Sequence, residues 1–169
     1  MKKAEVIIVG GGILGTFHAY FAAVNGFKTI LLEKDHRPNS ASVRNFGMII
    51  PSSIAESGIW KEFAEESAKI YIQINEEVAL GVKNTGSMYM VSEELENRII
   101  KEYADLTEVT GISCTYLSAD EVLSEHPFMN KSYLKGALFI PGDLQINPVL
   151  LLERFQNYLS KFDNLTLCF

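Results

Sequence analysis

The stretch VIIVGGGILGTFHAYFAAVNGFKTILLEK, residues 6–34, leaves this chain few ways to fold. Residues 4–9, AEVIIV, are a short β-branched run followed at once by Gly10, Gly11 and Gly12. A continuous apolar run of that length is the pattern of a buried parallel strand. Residues 13–25 follow at helical spacing and stop before Gly26, a residue suited to the position past a helix end. Residues 28–33, KTILLE, form a second apolar run. Strand, glycine turn, helix and strand within about thirty residues make a βαβ unit, which predicts an α/β fold of Rossmann type.

The spaced glycines, Gly10, Gly12 and Gly15, have separate tasks in such a unit. The first permits the tight turn out of the strand, the second lets a pyrophosphate approach bare backbone, and the third lets the helix pack closely on the sheet. The helix N-terminus adds unsatisfied N–H groups and a positive dipole for an anion. Glu33 lies 18 residues beyond Gly15, at the end of the second run. A carboxylate there accepts hydrogen bonds from a ribose diol and repels a 2′-phosphate, which disfavours NADP. A plain structural turn and a solvated strand-end acid are the bland alternatives. A strand before the glycines and a helix after them favour the dinucleotide reading.

Further along, residues 34–51 form a long polar loop carrying Pro38 and Gly47, whose closing MII suggests a return to a core. Residues 59–80 are expected as an amphipathic helix, with Trp60, Phe63 and Tyr71 read as core aromatics. A strand is expected over 86–91 and a helix from Ser92 to about Val109. Ser118 and Glu121 have capping-box spacing for a short helix ending near His126. GALFI at 136–140 reads as a strand, Asn147 and Pro148 as the cap and first turn of a helix, and LTLCF as a last strand.

Other chemistry finds little support. The net charge of −6 and the absence of a lysine or arginine block argue against nucleic acid. His18 and Asn25 interrupt the one candidate membrane span, so no span is expected. Lys2 and Lys3 before an apolar run imitate a secretory leader, but Glu5 and the glycine triplet do not suit one. Cys114 and Cys168, 54 positions apart, have no metal or disulfide spacing; both are expected as buried thiols in a reducing cytoplasm. His18 reads as a packing or surface residue, and His36 and His126 lack partners at metal-ligand spacing, so no metal site is expected.

The motifs VIIVGGGILG, ILLEK and ASVRNFGMI, with a weaker GDLQINP before a helix, resemble those of the D-amino-acid-oxidase superfamily. These are FAD-dependent amine and amino-acid oxidoreductases, and the nearest branch is that of glycine oxidase and sarcosine oxidase. The resemblance runs along essentially the whole chain, and the third motif is its most specific part. It implies FAD as cofactor and a small-molecule amine as substrate. It places the amides of Ile13 and Leu14 near the pyrophosphate, Glu33 on the ribose, Lys34 near the adenine, and Ala41 and Ser42 on the pyrophosphate side of the loop. Phe46, Gly47 and Met48 would pass beside the isoalloxazine ring, with Asn45 grouped among them. Arg44 would offset the charge of a reduced flavin or meet a substrate anion; a plain surface arginine is the equal alternative. The SVRNFG variant also resembles a subgroup linked with organophosphonate breakdown, which implies an N-alkyl aminophosphonate. The implied reaction oxidises a C–H bond beside an amine and leaves an imine that water hydrolyses. No catalytic residue is assigned.

The resemblance divides the chain into the N-terminal part of an FAD-binding domain at 1–81, a partial α+β substrate domain at 82–145, and a returning segment at 146–169. Superfamily members are usually much longer, so the expectation is an incomplete chain: the N-terminal half of an enzyme whose own turnover is doubtful. Two other functions use the same turn, a NAD-dependent dehydrogenase and a non-catalytic dinucleotide-binding module needing a partner chain. A homo-oligomer or a complementing chain stays open.

Overall fold

The computed structural model describes residues 3–36, 39–54 and 58–169. Along the chain the elements are β1 (Val6–Val9), α1 (Ile13–Val24), β2 (Thr29–Leu32), β3 (Met48–Ile49), α2 (Ile59–Val78), β4 (Ser87–Val91), α3 (Glu94–Asp105), α4 (Thr107–Thr110), β5 (Thr115–Ser118), α5 (Ala119–Glu125), β6 (Gly136–Ile140), β7 (Leu144–Gln145), α6 (Pro148–Leu159) and β8 (Leu165–Cys168). Single 3-10 turns cover Ala41–Val43 and Pro51–Ser53. Pro38 and Lys2 lie outside the described residues. The chain divides into two units, one formed by 1–48, 71–82 and 146–169, the other by 49–70 and 83–145.

In the first unit β1, β2 and β8 form a parallel sheet in the order β1-β2-β8. The βαβ unit expected from the glycine motif is its beginning. Successive strand residues point to opposite faces, and one face buries Leu31 and Leu165 together with Ala19 and Ala23 of α1 and Leu152, Phe155 and Leu159 of α6. On the other face Ile7, Val9 and Leu32 are exposed. Cys168, expected inside, is exposed on that same face, and Cys114 is half-buried. The alternation of a strand fixes which side chains share a face, but not whether a second layer covers it.

Local chemistry sets the helix ends. Asn147 Oδ1 accepts from the N–H groups of Val149 and Leu150, at 3.0 and 3.1 Å, and Pro148 occupies the first turn of α6. At the end of α2, Asn75 Oδ1 accepts from the N–H groups of Gly81 and Val82, at 2.8 and 3.0 Å. Rings of α1 and α6 pack together, with Phe17 and Phe155 4.9 Å apart and Tyr20 and Phe155 5.4 Å apart.

In the second unit β4, β6 and β5 pair antiparallel, with β6 in the centre. Ala137 packs with Val122 and Leu134 on one side of β6, while Leu138 and Ile140 pack with Ile112 on the other. The expected capping box is present: Ser118 Oγ accepts from the Glu121 N–H, and Glu121 Oε2 accepts from the Ser118 N–H at 2.7 Å. Asp143 is buried and accepts hydrogen bonds from the hydroxyls of Ser52, at 2.6 Å, and Ser87.

Two expectations are corrected. The helix expected from Ser92 to Val109 starts at Glu94, where Glu96 takes the N–H groups of Ser92 and Glu93, and it breaks at Leu106 into α3 and α4. Trp60 and Phe63, expected in the core, are 71% and 53% exposed. Helical periodicity identifies the apolar stripe of α2, but the buried residues Ala68 and Ile74 lie further along it.

Candidate dinucleotide-binding site

The site is built where β1 passes into α1. Gly10 adopts φ +106°, a left-handed conformation that a side chain resists, and its N–H donates to the Leu32 carbonyl at 2.7 Å. Gly12 is the N-cap of α1 and offers no side chain to the first turn. A Cβ on Gly15 would collide with the Gly10 carbonyl oxygen, so the helix can approach the strand only with glycine there. A Cβ on Gly12 would stand 2.9 Å from Ser42 Oγ.

Ser42 comes from the short 3-10 turn at Ala41–Val43, and its Oγ accepts the Ile13 N–H at 3.0 Å. One of the orphan donors of α1 is thereby satisfied by a hydroxyl whose own proton is available to a further acceptor. The side chain of Leu14 is 75% exposed.

Glu33 follows β2 directly. Its Oε2 accepts the Gly11 N–H at 2.6 Å and its Oε1 accepts the Asp35 N–H at 3.0 Å. The hydrogen bond from Gly11, followed by that from Asp35, holds this carboxyl below its ordinary value. Each carboxylate oxygen has a second lone pair, so the group can also accept from hydroxyls. Lys34 beside it is exposed and lies 4.0 Å from Asp35.

The sign of the linkage follows from the lowered pKa. The stabilising contribution is present above the ordinary glutamate value of 4.5 and is lost as pH falls through the lower folded value. Urea unfolding of the chain and of Glu33→Gln should therefore differ by a constant amount from neutral pH down to about 4.5 and converge as pH falls from there through the lower folded value. Curves equally far apart throughout would contradict this assignment.

The segment from Ala41 to Met48 is held by Asn45. Its Nδ2 donates to the carbonyls of Ala41 and Ser42 at 3.1 and 3.0 Å, and its Oδ1 accepts the Gly47 N–H at 2.7 Å. Gly47 is buried at φ +65°, and its carbonyl accepts the Ile146 N–H at 2.8 Å. The flanking side chains stay outside: Arg44 is exposed, Phe46 is 88% exposed and Met48 54% exposed.

The structure therefore brings together Gly10, Gly12, Ile13, Gly15, Glu33 and Ser42, and it sets Arg44, Phe46 and Met48 on a surface beyond them. The motif reading overlooked two members of the cluster. Thr16 Oγ1 and Gln156 Nε2 both donate to the Gly11 carbonyl, at 3.2 and 2.8 Å. Gln156 also lines a cavity of about 560 Å³ with Val43, Glu153, Asn157 and Leu167. Among the described residues no cluster of His, Cys, Asp or Glu has metal-binding geometry, and no helix is long and apolar enough to cross a membrane. His18 is exposed, with Nδ1 2.7 Å from the Leu14 carbonyl.

Bare main chain at a helix N-terminus beside a carboxylate that ends the next strand suits a diphosphate and a ribose diol, the two polar groups of an ADP moiety. Known proteins resemble this chain in sequence and in fold. Glycine oxidase of Bacillus licheniformis is 28% identical over 161 residues, which cover 91% of this chain and 42% of the relative. The mitochondrial pyruvate dehydrogenase phosphatase regulatory subunit of Mus musculus is 31% identical over 147 residues, covering 86% of this chain and 17% of the relative. The crystal structure of glycine oxidase from Bacillus cereus ATCC 14579 superimposes with a TM-score of 0.83 at 26% identity, over 98% of this chain and 46% of that one. The chain thus spans less than half the length of these relatives. The family model described as DAO, FAD dependent oxidoreductase, matches residues 5–161. With that match covering nearly the whole chain and the glycine turn built as the motif requires, this protein belongs to the DAO family of FAD-dependent oxidoreductases.

Proposed function

We propose that this chain supplies the FAD-binding part of an oxidoreductase acting at the C–N bond of a small amine or amino acid. The observation that carries the reading is Glu33, turned inward to the Gly11 N–H at 2.6 Å instead of outward to solvent. Its carboxylate, ionised at neutral pH, accepts the ribose hydroxyls with the lone pairs that Gly11 and Asp35 leave unused. Gly12 keeps the main chain bare beneath the diphosphate, while Gly10 permits the turn and Gly15 the close approach of α1 to the strand. Ile13, Leu14 and Ala41 would border it, and the Ser42 hydroxyl, which accepts the Ile13 N–H, would donate a hydrogen bond to a phosphate oxygen. Lys34 lies toward the adenine.

Arg44, Asn45, Phe46, Gly47 and Met48 form the edge facing the flavin ring. Asn45 holds that edge in shape, and Phe46 and Met48 exclude water from the ring. Bound FAD supplies the acceptor for a hydride taken from the carbon beside the amine nitrogen. The Arg44 guanidinium provides a positive charge for a substrate anion, a carboxylate or the phosphonate of an N-alkyl aminophosphonate. We read residues 1–81 and 146–169 as the cofactor-binding segments, 82–145 as part of a substrate domain, and the cytoplasm as the compartment.

A second reading rests on the relative from Mus musculus, whose name is that of a regulatory subunit. On this reading the chain binds a dinucleotide without turnover, and its partner is a second copy or a complementing chain. Anaerobic mixing of the FAD-loaded chain with glycine, sarcosine and an N-methyl aminophosphonate separates the two. Loss of the visible flavin absorbance with one of these amines is the expected result. Retained absorbance with every amine would favour the regulatory reading.

A further inference from the structure

Three glycines in a row give the β1–α1 turn no side chains of its own with which to hold a shape, and glycine is the residue with most backbone freedom to lose. The shape is instead imposed on Gly11 from outside. Its N–H donates to Glu33 Oε2 at 2.6 Å, and its carbonyl accepts from Gln156 Nε2 at 2.8 Å and Thr16 Oγ1 at 3.2 Å. Both carbonyl donors are buried, Gln156 at 8% exposure and Thr16 at 0%. An amide taken out of water costs free energy unless it is hydrogen-bonded. Gln156 nevertheless sits on the inner face of α6 among Leu152, Phe155 and Leu159. Its side-chain amide donates to the carbonyl of the residue whose peptide groups set the direction of the turn.

We propose that Gln156, assisted by Thr16, is a positioning residue for dinucleotide binding. It locks the Gly11 peptide so that the first turn of α1 presents its N–H groups to the diphosphate before the ligand arrives. The inference rests on the FAD reading given above. A preorganised turn binds more tightly because less ordering remains to be done on association. The lock also joins α6 to the turn across 145 positions of sequence.

The test uses the full 169-residue chain. ADP and FAD are titrated calorimetrically into the unaltered chain and into Gln156→Leu, Thr16→Val and Thr16→Ser. Amide hydrogen exchange is followed in each without ligand. Gln156→Leu and Thr16→Val should weaken ADP binding about three- to tenfold, the worth of one hydrogen bond. Thr16→Ser, which keeps the hydroxyl, should restore the affinity. Exchange at Gly11 and Ile13 should quicken in Gln156→Leu while the β2 amides stay protected. Unchanged ADP affinity and unchanged Gly11 exchange in that variant, even with a lower melting temperature, would overturn the lock and leave the FAD reading standing. Failure of the unaltered chain to bind either ligand would overturn the FAD reading, and the exchange rates would then decide the lock alone. If Gln156→Leu does not fold, the contrast between Thr16→Val and Thr16→Ser decides it.

Discussion

Gly15→Ala is expected to lower stability by about 3 kcal/mol, at the upper end of what overpacking usually costs. In a chain of this size that is a fall in melting temperature of roughly 6–12 °C. The added methyl would collide with the Gly10 carbonyl oxygen and crowd Ile8 Cγ2 at 3.4 Å. Neither neighbour can step aside cheaply. Gly10 is fixed by its N–H bond to Leu32 across the β1–β2 pair, and moving α1 outward would open the core around Ala19 and Ala23. Gly142 provides the control, since nothing lies within 4 Å of a Cβ built there. Gly142→Ala should stay within about 0.5 kcal/mol of the unaltered chain. Urea unfolding measures both. A Gly15→Ala chain as stable as Gly142→Ala would contradict the close approach of helix and strand.

Gly47→Ala is expected to cost about 2–5 kcal/mol, because two penalties add. A left-handed conformation costs a side-chain-bearing residue roughly 1–2 kcal/mol, and Gly47 has φ +65°. Its Cβ would also collide with the Ile146 carbonyl oxygen, an overpacking cost of roughly 1–3 kcal/mol. Relief by moving the segment would break the Ile146 N–H bond to the Gly47 carbonyl and the Gly47 N–H bond to Asn45. Phe46 and Met48 would be displaced with it, so FAD affinity should fall as well. Urea unfolding beside an FAD titration measures both effects, and a variant unchanged in both would contradict the role given to this turn.

Both positions show how far the sequence can be read. Gly15 was legible because the motif is local: strand, turn, helix and second strand follow one another, and their spacing is dictated by the backbone geometry of a βαβ unit. Glu33 was legible for the same reason. The helix ends at Ser118 and at Asn147-Pro148 were readable because capping is decided within a few residues. Contacts distant in sequence were not readable. Ser42 reaches Ile13 across 29 positions and Gln156 reaches Gly11 across 145. The one signal of Gln156 was a polar residue four positions after Leu152, where the stripe of α6 calls for an apolar side chain.

The two-residue strands β3 and β7 are too short for any periodicity to appear, and their extended form comes from pairing. β5, at Thr115–Ser118, was hidden because its last residue also serves as the cap of α5. Exposure was the least legible property. Trp60, Phe63 and Cys168 have the character of buried residues, and nothing in their neighbours along the chain says that they are exposed.

The central claim is that Glu33 and the bare turn from Gly10 to Gly15 hold the ADP part of FAD. Calorimetric titration of FAD into the unaltered chain and into Glu33→Ala tests it most directly. Hydrogen bonds to a charged group contribute about 1.5–3 kcal/mol, so the variant should bind FAD roughly ten- to hundredfold more weakly. FAD binding of equal strength in both chains, or binding by neither, would contradict the account.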